Sequence, residues 1–154
     1  MEKDKSIDVL NTLIEINNDR IQGYETAAKE TEEADLKTLF SGFKLTSLNC
    51  KKDLVNEVQK LGGKPAEGTK TSGKFYRAWM DVKAALTKKD RKAILSSCEY
   101  GEDVATETYD NAIKDHLDEL TPEQQAIVQA QQVLIQAEHD KVKNLRDAAA
   151  AIKK

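Results

Sequence analysis

The sequence predicts an all-α protein: four long helices in two hairpins, joined by one long crossover that carries an extra short helix. Three observations predict it. The composition is that of a long-helix protein, with 33% charged residues, 5% aromatics, seven glycines and two prolines, and with Ala, Glu, Lys and Leu abundant. Apolar residues recur at spacings of three, four and seven along four segments, the period of one helix face. One pattern is used twice. Asn17-x6-Tyr24-x2-Ala27 on the first helix aligns with Glu102-x6-Tyr109-x2-Ala112 on a later one, as expected of a hairpin repeated within one chain.

Helix one is expected from about Asp4 to Lys29, with Leu10, Leu13, Ile14, Ile21, Tyr24 and Ala28 inward. Asn17 falls on that stripe and should point inward too. Thr31-Glu-Glu-Ala-Asp35 is a turn rich in capping residues. Helix two runs from about Ala34 to Leu61, with Leu36, Phe40, Phe43, Leu54, Val58 and Leu61 inward and Ser47 and Cys50 on the same stripe. Gly62-Gly63 ends it, because glycine supplies the left-handed cap, and Pro65 follows. The stretch from Lys64 to Gly73 has no apolar periodicity and is the long crossover. A shorter third helix holds Phe75, Trp79, Val82 and Leu86. Asp90 is the expected N-cap of helix four, which runs to about Leu117 with Leu95, Cys98, Glu102, Ala105, Tyr109 and Ala112 inward. Thr121-Pro122-x-Gln124 is a capping box with proline at the first helical position. It opens the last helix, whose stripe is Val128, Ile135, Val142 and Leu145.

At 154 residues the chain is expected to form one domain over residues 1–154, large enough for a single core. Its 24 basic and 27 acidic residues give a net charge of −3 and interleave, as in Lys88-Lys89-Asp90-Arg91-Lys92. That is the pattern of solvated helix faces rather than of a nucleic-acid stripe. No apolar run approaches the ~20 residues that span a bilayer, and Met-Glu-Lys-Asp-Lys lacks the apolar stretch expected of a signal peptide. A cytoplasmic location is expected, with Cys50 and Cys98 as thiols. Nothing in the chain matches a phosphate loop, a nucleophile elbow or a Cys-x-x-Cys motif.

The repeated hairpin resembles the ferritin-like superfamily, in particular the rubrerythrin and bacterioferritin type of bundle. In such bundles two helices each give a carboxylate and two each give a Glu-x-x-His pair to two metal ions. The resemblance places six positions here: Asn17 and Glu102 from the tyrosine anchors, Ser47-x-x-Cys50 counted back from Gly62-Gly63, and Gln136-x-x-His139 on the last helix. Only Glu102 and His139 keep the family's residue types; Asn17, Ser47 and Gln136 are not ligand types. The expectation is a degenerate metal site and no cofactor. The alternative is a single zinc or iron ion held by Cys50, Glu102 and His139, given that metal sites need about three to four protein ligands. Without metal, Asn17, Glu102, Gln136 and His139 would form one buried hydrogen-bonded layer that fixes helix register. A Glu102–His139 proton-transfer pair is a further reading of the same residues. Tyr24 and Tyr109 should each bond across the bundle. His116 reads as an exposed helix-end cation.

Longer stretches are similar to one narrow bacterial family of unknown function within that superfamily. They are Leu13-Ile-Glu-Ile-Asn-Asn-Asp-Arg-Ile-Gln-Gly-Tyr24, Leu61-Gly-Gly-Lys-Pro65, Arg77-Ala-Trp-Met-Asp-Val-Lys-Ala-Ala-Leu86 and Glu99-x-Gly-Glu-Asp103. The resemblance implies a small cytosolic bacterial protein, stress-associated, with no assigned activity. In the third stretch Trp79 is read as a plug on the bundle flank, with an Arg77–Asp81 ion pair and Lys83 beside it; the competing reading is a docking surface. The functional expectation is a non-catalytic ferritin-like protein with a scaffolding or stress-associated role. The alternative is a metal-binding relative, either an altered metal-dependent oxidoreductase or a metal store. A homodimer through bundle faces and an unidentified protein partner are the expected associations, with neither nucleic acid nor membrane.

Overall fold

The structure, a computed structural model, describes residues 2–68 and 74–152, with side chains omitted for residues 2, 3, 74–78, 150 and 152. The side chains of Phe75 and Arg77, and so the expected Arg77–Asp81 pair, lie outside the described residues. The described residues are helical, without strands. The helices are α1 (Glu2–Glu30), α2 (Ala34–Lys60), α3 (Lys74–Lys88), α4 (Arg91–His116) and α5 (Pro122–Ile152), with a 3-10 turn at Leu117–Glu119.

Local chemistry sets each boundary. Glu33 caps α2 without a side-chain bond, and the Thr31 hydroxyl instead accepts from the Glu33 amide at 3.3 Å. At the far end Gly62 takes φ 78°. Its amide donates to the Gln59 carbonyl and that of Gly63 to Val58, which satisfies the last carbonyls of α2. Lys89 has the same left-handed geometry after α3, at φ 56°, at a cost of about 1 kcal/mol because its Cβ crowds the backbone. Asp90 then caps α4 through the Ala93 amide at 3.2 Å. The Thr121–Gln124 box closes reciprocally, with both bonds at 3.1 Å.

α1 packs most extensively on α2, and α4 on α5; α1 also meets α4, and α2 meets α5. α3 lies against α4 and α1. The start of the crossover is strapped along α1: Asn11 bonds to the Lys64 carbonyl and the Ala66 amide, and Asn18 to the Gly68 carbonyl. The apolar interior forms two clusters. One gathers Leu10, Leu13, Ile14, Leu54, Val58, Val128 and Ile135. The other gathers Tyr24, Phe40, Phe43, Val82, Leu95, Cys98 and Val142. Asn17, Arg20, Ser47 and Glu102 are buried as well and place polar chemistry inside the molecule.

Candidate functional site

Each of the four long helices sends one polar side chain to the same point. Arg20 of α1 is fully buried. Its Nε donates to Glu102 Oε2 at 2.9 Å and its second terminal nitrogen to Glu102 Oε1 at 2.7 Å, a two-point pair with α4. That second nitrogen also donates to Glu138 Oε1 on α5 at 2.7 Å. The remaining terminal nitrogen donates to the Ser47 hydroxyl on α2 at 2.6 Å. Thr46, beside Ser47, donates to the other Glu138 oxygen at 2.6 Å. The planar guanidinium suits this geometry because its donors form a rigid fork that matches a carboxylate. Aromatic rings complete the setting, with the guanidinium carbon 5.4 Å from the Tyr24 ring centre and 5.9 Å from that of Phe43.

The electrostatics follow from burial opposed by pairing. Burial disfavours the Arg20 charge, but Glu102 outweighs it, with Tyr24 and Glu138 adding, so the guanidinium is held well above its ordinary pKa. Glu138 is pushed up by burial, against the pull of Arg20 and the Thr46 hydroxyl. The Cys98 thiol is raised by burial and then by Glu102, and burial pushes Cys50 up to about 11. Both cysteines are free and buried. As protonated thiols they are poor nucleophiles.

A second polar layer lies beside the first. Asn17 Nδ2 donates to the Tyr109 hydroxyl at 2.8 Å and to the Leu13 carbonyl at 2.8 Å. Tyr109 donates to Gln131 Oε1 at 2.7 Å, and Gln131 Nε2 to the Cys50 carbonyl at 3.1 Å. The repeat is thus realised crosswise: Asn17 of the first copy meets Tyr109 of the second. Glu102 stands near Tyr24 and, after burial, is the main cause of its raised pKa. Among the described residues the Tyr24 hydroxyl and Asn17 Oδ1 nevertheless lack a partner at hydrogen-bonding geometry, whereas the Tyr109 hydroxyl bonds across the bundle to Asn17 and Gln131.

The residues singled out from sequence are therefore divided. Glu102 and Ser47 meet at Arg20. Asn17 and the Cys50 backbone belong to the Tyr109 layer. His139 lies on the α4–α5 flank, where Nε2 pairs with Asp103 and Nδ1 with Asp140 at 3.2 Å. Gln136 joins it there, donating to Asp140 at 3.1 Å. The single layer expected of Asn17, Glu102, Gln136 and His139 is replaced by these three groups. Among the described residues no three His, Cys, Asp or Glu side chains are gathered to hold a metal ion. His116 is exposed and pairs with Glu119 at 3.2 Å. Trp79 packs edge-on to Tyr24, with ring centres 5.0 Å apart.

Sequence reasoning missed Arg20 and Glu138. Arg20 is three residues after Asn17 and four before Tyr24, squarely on the inward stripe, so the signal was present. Glu138 and His139 lie three and four residues after Ile135, and four and three before Val142. They flank the core line equally, one toward α2 and one toward α4, and spacing alone does not choose between them.

No helix among the described residues is long and apolar enough to cross a membrane. No curated protein matches the chain. A family model matches residues 5–115, which takes in nearly all of α1, all of α2 and α3, and nearly all of α4; α5, the source of Gln131 and Glu138, lies beyond it. By that match the chain belongs to the family described as Domain of unknown function (DUF2383).

Proposed function

We propose that this chain is a single-domain, ferritin-like four-helix bundle in which an arginine stands where metal ions would be held, and that it acts as a non-catalytic scaffolding protein in the cytoplasm. The observation that carries this reading is the Arg20 centre. Carboxylates projecting into a bundle need positive charge to offset them. Arg20 supplies it to Glu102 and Glu138 through fixed hydrogen bonds. A guanidinium has no open coordination position and no redox couple, and it does not deprotonate at physiological pH. The hairpin pairing and the crosswise Asn17–Tyr109 contact support the ferritin-like comparison, and the two free thiols support a reducing compartment.

Elemental analysis of purified, dialysed protein tests the proposal. Iron, manganese and zinc should each fall well below one equivalent per chain, with no change in thermal stability when any of them is added. Retention of about one equivalent or more would overturn it and favour the alternative, a metal-binding relative with Cys50, Glu102 or His139 among the ligands, since an ion bound by the folded state alone raises its stability.

A further inference from the structure

The Arg20 centre joins two carboxylates to one guanidinium, one acid more than it has bases. Glu102 Oε1 and Glu138 Oε1 each lie 2.7 Å from the same guanidinium nitrogen, so the two acids are close neighbours. Carboxylates that share a site resist ionising together, because each raises the cost of charging the other. The two acids are not equivalent. Glu102 is 1% exposed and has both oxygens paired to Arg20. Glu138 is 17% exposed and reaches Arg20 through one oxygen alone. Its other oxygen, Oε2, lies 2.6 Å from the Thr46 hydroxyl, and that hydroxyl has a second acceptor in the Gly42 carbonyl at 3.2 Å. A threonine hydroxyl has one hydrogen to donate and lone pairs that accept. With Glu138 ionised, Thr46 donates to Oε2. With a proton on Oε2, the carboxyl donates to Thr46 and Thr46 turns its own hydrogen to Gly42. Oε2 thus keeps its partner in either charge state with no heavy atom moved.

We propose that the Arg20 centre is a one-proton site, with the proton carried on Glu138 and received by the Thr46 hydroxyl, and that it links the docking of α5 to pH. The proton comes from solvent at the exposed edge of Glu138. The groups that face Glu138 are Arg20 from α1, Glu102 from α4, and the Thr46 hydroxyl and Cys50 thiol from α2. Tyr24 and Cys98 stand beyond Glu102, and Asp53 lies one turn past Cys50. On α5 itself His139 is turned away to Asp103 and Asp140. Of these, Arg20 and Thr46 favour the ionised form of Glu138; burial, with Glu102 adding, outweighs them and raises its pKa. The folded bundle therefore binds the proton more tightly than the unfolded chain. The stabilisation is full below the unfolded pKa of about 4.3 and is lost as pH rises through the folded value. The site draws on α1, α2, α4 and α5 together, so it exists only while α5 is docked, and acidification favours the closed bundle.

Carbon-13 NMR of the side-chain carboxyls of the whole chain, with EDTA throughout, reads the site directly. The Glu138 signal, assigned by its loss in Glu138→Gln, should titrate above the value of about 4.3 of a free glutamate. In Glu102→Gln that midpoint should move down, because the neighbouring negative charge is gone. Urea denaturation gives a second readout. The folding constant of Glu138→Gln relative to the parent should rise with pH, by about tenfold for each unit that separates the folded from the unfolded pKa, and then level off. A hydrogen bond with a merely structural role would give a ratio that does not change with pH. A Glu138 midpoint at or below the free value, a midpoint unmoved in Glu102→Gln, or a ratio that is flat or falls with pH would overturn the proposal. It rests on the reading of the centre as free of metal, and the two fail separately: retained metal shows in the elemental analysis, whereas an ordinary Glu138 titration in metal-free protein counts against the proton site alone.

Discussion

Replacing Arg20 by methionine would leave Glu102 and Glu138 sharing the interior with no cation between them. Removing one partner from a buried ion pair typically costs about 3–5 kcal/mol, mostly through the charge left behind. Urea denaturation of Arg20→Met should show a loss in that range, and adding Glu102→Gln to it should recover part of the loss. A single variant within about 1 kcal/mol of the parent would mean that the centre contributes little. At Gly23 the constraint is steric. A Cβ there would come within 2.1 Å of the Trp79 indole. Alanine would gain up to about 1 kcal/mol of helix propensity, but overpacking costs about 1–3 kcal/mol. Gly23→Ala should therefore be net destabilising and should shift the emission of Trp79, the only tryptophan. Unchanged stability and fluorescence would show the contact to be loose.

Between elements, α4 and α5 are joined on their outer flank by His139 and by the Arg146–Glu99 pair. Burial works against the His139 charge, but Asp140 and Asp103 outweigh it and raise its pKa. The folded state thus holds the proton more tightly than the unfolded chain does. The stabilisation is full below the unfolded pKa of about 6.5 and is lost as pH rises through the folded value. Comparing the parent with His139→Gln should show the largest stability difference near pH 6, closing in mildly alkaline solution; a difference that widened with pH would contradict the assignment. Helix extents were legible in the sequence because each end carries its own chemistry: the capping box at Thr121, the cap at Asp90, the left-handed turn at Gly62. Which inward polar groups meet was much less so. Ser47 and Glu102 were on the right stripes, yet the partner joining them was an arginine, a residue type usually assigned to surfaces. The choice between Glu138 and His139 depends on how far α5 is rotated against α2 and α4, and that rotation is set by packing across the whole interface rather than by the spacing within one helix.

At the scale of the molecule, the two apolar clusters share α1, α2, α4 and α5, and the Arg20 centre takes a group from each of those four helices. Neither hairpin can leave without stripping partners from Arg20. Unfolding in urea should therefore be one cooperative transition, with Trp79 fluorescence and helical circular dichroism coinciding; separated midpoints would mean that the hairpins unfold independently. Arg20 has one further consequence, for the cell rather than the test tube. Its positive charge is synthesised with the polypeptide, one per chain, so on the proposed reading the cation that Glu102 and Glu138 share needs no loading step. The molecule's abundance would then follow its own expression, unaffected by swings in the supply of transition metals or by the chelators that accompany them.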